Sequence, residues 1–398
     1  MLKNSKVIGL LVFTFSILLT VPTVLSYRVD WVISSSGRVI FDLKWLHVDG
    51  KWIKDIDGNV VILRGAGFTG YEWGSSKHTE DDYARMASWG FTAVRLPIAW
   101  SYIEPQPETY DFSYFDNYLD KDISWAKKYG LYIILDMHQW VWSPYFSWWG
   151  GCGNGFPYWT VNAYPNTFEG VGRAITDFWL DKGPNGTEPY PTNPSLQDRF
   201  INMWKIVVDR YRNEPHVLYE LFNEPYRGDY YYPEGGLDVW ETAKHLFPFY
   251  ERLISSIRQI DPNHIIVYEP VSGWHVSSAQ KLDTPNLVFS FHCYDYAYSY
   301  DGNSVALENS FYDKFMSKPD SDPIMNWNVP ILLGEFGTGL EYPNPGLWTK
   351  DMTEICAKYQ LHWTWWNYFK SDAGSSLLYE NGTEKTILTE PLKEAARM

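Results

Sequence analysis

Two glutamates lie near the ends of apolar stretches of the sequence. Glu224 ends the stretch 217–224, and Glu335 is the last residue but one of the stretch 331–336. Two carboxyl groups about 5 to 5.5 Å apart can cleave a glycosidic bond with retention of configuration, because one protonates the leaving oxygen while the other attacks the anomeric carbon. Carboxylates in such apolar surroundings are costly unless they have a task. The pair therefore predicts a catalytic centre.

Several other apolar stretches end in polar or aromatic residues that could bind a substrate. They are Arg95, His138, Asn223, His292, Tyr294 and Trp366. Catalytic groups of a barrel of parallel strands lie at the C-terminal ends of the strands, so these six are candidates for substrate binding. Asp136 and Glu269 also end apolar stretches. Asp136 lies two residues before His138 and is expected to brace it, and Glu269 precedes Pro270, so both are left outside the candidate set.

The elements that must position these residues follow a regular order. Short β-rich apolar runs alternate with longer amphipathic stretches, which is the order of repeated βα units and a parallel sheet. The eight runs are Val60–Ala66, Thr92–Ile98, Tyr132–His138, Val217–Glu224, Ile265–Glu269, Leu287–Tyr294, Ile331–Phe336 and His362–Tyr368. The predicted helices are Glu80–Trp89, Phe115–Tyr129, Leu196–Tyr211, Val239–Ile260, Ser304–Met316, Trp348–Tyr359 and Pro391–Arg397, with a weak turn at Ser277–Lys281. Eight units predict an α/β fold, a (β/α)8 TIM barrel.

The chain divides into three predicted parts. Residues 1–26 are typical of an export signal, with Lys3 and Lys6 before an apolar run from Val7 to Val21, although an uncleaved anchor is also consistent with this pattern. Residues 27–59 alternate apolar and polar positions and predict a short β-hairpin extension. Residues 60–398 form the predicted catalytic barrel. The expected location is secreted or extracellular, with membrane attachment only if the N-terminal segment is retained.

The amino-acid composition limits the classes of partner that the chain can bind. The formal charge of −15 repels phosphate backbones, so nucleic acid is excluded as a partner. Aromatic residues make up 18 % of the chain, and many lie in the long segment Gln139–Pro194 after the third predicted strand. Aromatic rings stack on the apolar faces of sugars, and disordered segments usually lack them. This segment is therefore predicted to be an ordered substrate-binding loop.

Several short motifs resemble those of glycoside hydrolase family five, the cellulase family of the clan A barrels. They are Asn223-Glu224-Pro225, Arg95 in Val94-Arg95-Leu96-Pro97, Asp136-Met137-His138-Gln139, His292-Cys293-Tyr294, Gly334-Glu335-Phe336-Gly337 and Trp366 in Trp363-Thr364-Trp365-Trp366. The resemblance implies that Glu224 is the acid/base and Glu335 the nucleophile, with Trp366 beneath the sugar at the cleavage point. It also implies that Arg95, His138, Asn223, His292 and Tyr294 contact the substrate or the catalytic pair.

The sequence leaves the choice of substrate open among several β-glycosides. The first expectation is a β-glucan or related β-glucoside, cleaved by double displacement as in an endo-β-1,4-glucanase. Motifs such as Gly153-Asn154-Gly155-Phe156-Pro157 resemble the endoglycoceramidase-like branch, which acts on glycolipids, although Trp140 replaces the Asp that usually follows His-Gln there. A β-mannanase or mannosidase, a transglycosylase and a carbohydrate-binding barrel without turnover are also consistent with these motifs. No cofactor or metal is expected, because His138 and His292 lack the close spacing of a metal site.

Overall fold

Eight parallel strands close into one barrel in the computed structural model of the chain. The structure describes residues 43–70, 72, 78–184, 194–317 and 323–398, together with the backbone of two short strands at Trp31–Ile33 (β1) and Val39–Phe41 (β2). The barrel strands are β5 (Arg64–Gly67), β6 (Ala93–Ile98), β7 (Tyr132–Met137), β8 (Val217–Glu220), β9 (Ile266–Tyr268), β10 (Leu287–His292), β11 (Ile331–Phe336) and β12 (His362–Trp366). Each pairs with the next, and β12 pairs with β5. The predicted (β/α)8 barrel is confirmed.

The N-terminal hairpin closes the bottom of the barrel. β3 (Leu46–Asp49) and β4 (Trp52–Asp55) are antiparallel, and Ile53 and Leu46 join a buried apolar cluster with residues at the lower ends of the barrel strands. Val61 donates a hydrogen bond to the carbonyl of Ile53 at 2.9 Å. This pairing corrects the predicted first strand, which begins at Arg64 rather than Val60 because the preceding residues belong to the hairpin.

Helices surround the barrel in the predicted order. They are α1 (Glu80–Ser88), α2 (Trp100–Ile103), α3 (Phe112–Tyr114), α4 (Asp120–Tyr129), α5 (Tyr158–Val161), α6 (Phe168–Trp179), α7 (Leu196–Tyr211), α8 (Val239–Arg258), α9 (Ser304–Phe311), α10 (Pro345–Tyr359) and α11 (Thr386–Arg397). Helix α7 has its predicted bounds, whereas α11 begins five residues earlier than predicted and contains Pro391. Pro391 was expected at the helix start but is the sixth residue of α11, so the helix lacks the backbone hydrogen bond from residue 391 to the carbonyl of Ile387. Among the described residues, no helix is both long and apolar enough to cross a membrane.

The long segment after β7 contains two helices that the sequence patterns did not predict. Helix α6 is capped by Thr167, whose hydroxyl accepts a hydrogen bond from the Gly170 amide. A Cβ at Gly170 would lie 1.8 Å from the carbonyl oxygen of Pro165, so the close approach requires glycine there. Two glycines near the start of the helix concealed it, because glycine disfavours helical structure. The buried rings of Trp142, Phe156 and Phe178 contact the ring of Phe222 just after β8, which anchors this segment to the barrel.

Candidate active site

The barrel brings all eight predicted site residues to one end. Arg95 and Glu335 lie on β6 and β11, His292 and Trp366 end β10 and β12, and the others follow β7, β8 and β10 within four residues. A cavity of about 410 Å³ opens at this end. The predicted residues that line it are His138, Asn223, Glu224, Tyr294, Glu335 and Trp366. Arg95 and His292 are buried beneath them.

The two glutamates face each other across a short gap. One carboxylate oxygen of Glu224, one of Glu335 and a ring nitrogen of His292 all lie within 4.8 Å of one another. Nδ1 of His292 is 2.8 Å from Oε1 of Glu224 and 3.6 Å from Oε2 of Glu335. Carboxyl groups of inverting glycosidases are about 6.5 to 9.5 Å apart, whereas those of retaining enzymes are about 5 to 5.5 Å apart. The gap therefore fits a retaining reaction and is shorter than the separation of an inverting pair.

Both carboxylate oxygens of Glu335 are held by donors. Nη1 of Arg95 donates to Oε1 at 2.7 Å, and the hydroxyl of Tyr294 donates to Oε2 at 2.9 Å. Burial would lower the pKa of Arg95, but Asp136, Glu220 and Glu335 outweigh it and raise that pKa well above its usual value. Arg95 is thus a permanent cation in direct contact with Glu335. A carboxylate whose two oxygens are held by donors in this way is suited to nucleophilic attack.

Glu224 has a different environment. Burial raises its pKa, the hydrogen bond from His292 opposes the rise, and the nearby charges of Glu335 and Glu269 add to it. The side chain keeps 13 % of its surface exposed, toward the cavity. A carboxyl group whose pKa is raised holds its proton toward neutral pH and can act as a general acid. The two glutamates therefore differ in the way that an acid and a nucleophile require.

Three buried carboxylates outside the predicted set contact the guanidinium of Arg95. Glu220 Oε2 accepts from Nε at 2.6 Å, while Asp136 Oδ2 and Glu269 Oε1 lie 3.1 and 3.6 Å from Nη2. Asp136 also contacts Nδ1 of His138 at 2.7 Å, as its expected bracing role requires. Glu269 is not peripheral, because it contacts the main chain of Glu224. A charged residue inside an otherwise apolar strand was the signal that could have identified Glu220.

Trp366 and His138 form one wall of the cavity. Their rings are stacked, with centroids 5.3 Å apart and planes 7° apart. Asn223 is fixed from both sides, since its Oδ1 accepts from Arg95 at 2.8 Å and its amide nitrogen donates to the carbonyl of Gln139 at 3.0 Å. Asn223 lines the cavity, and its amide nitrogen carries a second N–H that can donate to a ligand. Aromatic and amide groups in this arrangement can stack on a sugar ring and hydrogen-bond its hydroxyls.

Comparison with known proteins agrees with this geometry. The model of the cellulase family, glycosyl hydrolase family 5, matches residues 54–372. The chain belongs to glycosyl hydrolase family 5. The predicted resemblance to this family is confirmed.

Relatives of this family 5 chain include proteins named endoglycoceramidases and proteins named endoglucanases. An endoglycoceramidase of Hydra vulgaris is 26 % identical over 349 residues, covering 78 % of this chain and 62 % of the relative. Endoglucanase C of Acetivibrio thermocellus is 22 % identical over 343 residues, covering 74 % and 84 %. The solved iminocyclitol complex of endo-glycoceramidase II from Rhodococcus sp. superposes with a TM-score of 0.71 at 25 % identity, covering 86 % and 80 %. The chain spans less than two thirds of the length of the Hydra endoglycoceramidase.

A second, more apolar pocket of about 470 Å³ adjoins the first cavity of this family 5 chain. Its lining residues are Trp140, Val141, Tyr226, Arg227, Tyr230, Tyr231, Ser272, Trp274 and His275. Trp140 lines both spaces and so marks their boundary. The pocket lies on the side of Glu224, because Tyr226 and Arg227 follow this residue closely and Gly273, between Ser272 and Trp274, approaches its side chain. Five aromatic rings give this pocket its apolar character.

Two groups of site residues have the donor types that a metal ion binds. They are Glu220, Glu269 and His292, and Glu224, His292 and Glu335. In the first group both carboxylates contact the Arg95 guanidinium, which supplies a positive charge at that place. In the second group His292 hydrogen-bonds Glu224, and Tyr294 hydrogen-bonds Glu335. The side chains of these groups are thus already engaged with one another.

Proposed function

We propose that the chain is a retaining β-glycosidase with Glu335 as nucleophile and Glu224 as general acid/base. The observation that carries this assignment is the short gap between two carboxyl groups of opposite environment. Arg95 and Tyr294 hold both oxygens of Glu335 in place for attack, while burial favours the protonated form of Glu224. These are the states that the first step of a double displacement needs.

The reaction proceeds in two balanced steps. In the first, a carboxylate oxygen of Glu335 forms a bond to the anomeric carbon as the bond to the leaving oxygen breaks, and Glu224 gives its proton to that oxygen. In the second, Glu224 takes a proton from water while the water oxygen attacks the anomeric carbon and releases Glu335. The second N–H of Asn223 can donate to the sugar 2-hydroxyl, and Trp366 supports the ring.

Variants of the two glutamates test the role of each. Glu335→Gln is expected to abolish turnover, because an amide does not form the glycosyl ester. Glu224→Ala is expected to retain activity on aryl glycosides with a dinitrophenolate leaving group, which needs no proton, and to lose it on alkyl glycosides. Equal losses of Glu224→Ala on both substrates would contradict its role. NMR of the first sugar released is expected to show the β anomer, and an α product would contradict the mechanism.

The apolar pocket suggests what the enzyme cleaves. Since Glu224 protonates the leaving oxygen, the leaving group lies on the Glu224 side, where Tyr226, Trp274 and Tyr230 line the pocket. Trp274 and Tyr230 remain 46 % and 60 % exposed, so apolar ring surface is available to a ligand. We propose that this pocket accepts a bulky apolar aglycone, and hence that the substrate is a β-glucoside of a lipid. The relatives named endoglycoceramidases support this proposal.

A β-glucan chain is the second candidate substrate. Trp140, Trp148 and Trp149 are each about 40 % exposed near the cavity, and their faces could stack on successive glucose units. The relatives named endoglucanases support this candidate. The two substrates differ in the group that leaves, which is a lipid in one case and a sugar in the other.

Substrate profiling separates these candidates. Hydrolysis of a lipid β-glucoside, an aryl β-cellobioside, soluble β-glucan and β-mannan is measured for the wild type and for Trp274→Ala. We expect the variant to raise KM for the lipid glucoside by about tenfold, since burying a ring contributes about 1.5 kcal/mol or more. Trp240→Ala is the matched control, because Trp240 is 54 % exposed on α8 and lines neither cavity. Efficient cleavage of glucan alone would favour the second candidate.

We also propose that the protein is exported. The support is the sequence of residues 1–26, where two lysines precede an apolar run. These residues lie outside the described part of the chain. Expression of the full chain in a secretory host, followed by N-terminal sequencing of the protein in the medium, tests this proposal. Cleavage near residue 26 is expected, and retention of the intact N-terminus in the membrane fraction would favour the anchor.

A further inference from the structure

Glu269 contacts the main chain of Glu224 and, through His292, also reaches its carboxyl group. It directly follows β9 and is fully buried. Its Oε2 accepts a hydrogen bond from the backbone N–H of Glu224 at 3.0 Å. Its Oε1 lies 3.3 Å from Nε2 of His292, whose other ring nitrogen is 2.8 Å from Oε1 of Glu224. One carboxylate thus reaches Glu224 twice, directly at the backbone and through His292 at the carboxyl group.

The backbone of Glu224 needs such an anchor. Its φ is +44°, in the left-handed region that non-glycine residues rarely adopt. Such conformations persist where the surrounding structure holds them and cluster at functional sites. The hydrogen bond from the Glu224 amide to Glu269 is a contact that holds this one. The direction in which the Glu224 side chain leaves the barrel therefore depends on Glu269.

The charge of His292 also depends on Glu269. Burial would lower the pKa of His292, but Glu269, Glu335 and Glu224 together raise it well above its usual value. Burial likewise opposes ionisation of Glu269, yet His292 and Arg95 lower its pKa. The two groups thus form a buried ion pair. The charged groups that face Glu224 are His292, Glu335 and Glu269.

We propose that Glu269 is a positioning residue for the general acid, which fixes the main chain of Glu224 and keeps His292 charged against its carboxyl group. The inference rests on the proposed role of Glu224. It accounts for a carboxylate so deep in the barrel beside Arg95, where another anion is not needed to neutralise the guanidinium. Removal of the Glu269 charge would let His292 become neutral. Glu224 would then hold its proton to higher pH. The imidazolium is hydrogen-bonded to Glu224 and lowers its pKa more than the charge of Glu269 raises it, so the loss of both charges raises the pKa of Glu224.

The test compares Glu269→Gln with Glu220→Gln on two substrates. The glutamine oxygen at 269 can still accept from the Glu224 amide, but the negative charge is gone. Glu220 is an equally buried carboxylate whose hydrogen bond goes to Arg95. Hydrolysis of a dinitrophenyl β-glucoside and an alkyl β-glucoside is measured across pH. Glu269→Gln is expected to move the basic limb of kcat/KM upward on the alkyl substrate, because Glu224 stays protonated to higher pH. Glu269→Ala, which also removes the acceptor for the Glu224 amide, is expected to lose about tenfold more activity on the alkyl substrate than on the dinitrophenyl one. Glu220→Gln is expected to lose activity on both substrates by a similar factor.

Further variants keep the proposal open to refutation. Glu269→Asp restores the charge and is expected to return the basic limb toward its wild-type position. If Glu269→Gln does not fold, His292→Gln replaces it and is expected to move the same limb. Equal losses on both substrates with an unmoved limb would show that Glu269 only supports the fold. Glu224→Ala in the same assay separates the two ideas, because the absence of leaving-group discrimination there would overturn the role of Glu224 itself.

Discussion

Replacement of Arg95 by methionine would show how strongly the site depends on one buried cation. The Arg95 side chain has no exposed surface, and four carboxylates surround it. The distances from its nitrogens are 2.6 Å to Glu220, 2.7 Å to Glu335, 3.1 Å to Asp136 and 3.6 Å to Glu269. Methionine fills a similar volume without charge, so the carboxylates would be left to repel one another in an apolar interior.

The expected cost follows from this geometry. Removing one partner of a buried ion pair typically destabilises a protein by about 3–5 kcal/mol, a large part of a total of about 5–15 kcal/mol. The cost should depend on pH with a definite sign. Without Arg95, the native state holds its buried carboxyls protonated at a higher pH than the unfolded chain does. The native variant therefore binds more protons, and its stability relative to the wild type recovers as pH falls, by about 1.4 kcal/mol per pH unit for each such carboxyl.

Urea unfolding at pH 7 and pH 5 measures both quantities. Tryptophan fluorescence and circular dichroism are recorded together, because a free energy of unfolding is defined only where the two transitions coincide. Arg212→Met is the matched control, since Arg212 forms an exposed pair with Asp209 at the end of α7 and is expected to change nothing measurable. A loss below about 1 kcal/mol for Arg95→Met, or the same loss at both pH values, would refute the reasoning.

Two further perturbations have defined outcomes. Burial lowers the pKa of His362 to about 3, and its Nδ1 accepts a hydrogen bond from the Leu63 amide at 2.9 Å. The histidine of the unfolded chain takes up a proton near pH 6.5, so the free energy of unfolding falls on acidification below that pH. His362→Asn can keep the hydrogen bond without titrating. Between pH 7 and pH 5 the unfolding free energy of this variant should therefore fall by about 2 kcal/mol less than that of the wild type. Equal losses in the two proteins would contradict this account. Gly273→Ala is expected to lower kcat/KM by about tenfold or more, because φ is +74° and the new Cβ would lie 3.0 Å from Cγ of Glu224. Gly58→Ala, at φ +83° with open space around the new Cβ, carries similar backbone strain and should leave activity unchanged, so equal activity of the two variants would count against the argument.

Much of the barrel could be predicted from local patterns. Strands buried on both faces form continuous apolar runs, and β11 has its predicted bounds because Ile331–Phe336 is such a run between turn signals. Helix α7 was equally clear, since Ser195 caps its first turn and the apolar positions recur with helical spacing. Helix α6 was missed because Gly170 and Gly172 are required by close packing, which a local pattern does not reveal.

The sequence by itself determined which side chains reach the catalytic end of the barrel. Parallel strands present their C-terminal ends at one edge, so the order of runs was sufficient to bring Arg95, Glu224 and Glu335 together. Only the tertiary structure decided which of these charged side chains contact one another. The guanidinium of Arg95 selects Glu335, and Glu269 reaches the amide of Glu224, because barrel closure and strand register set distances between residues that are far apart in the chain. Electrostatic interactions depend on those distances and on burial, and neither is encoded in the spacing of residues along one strand.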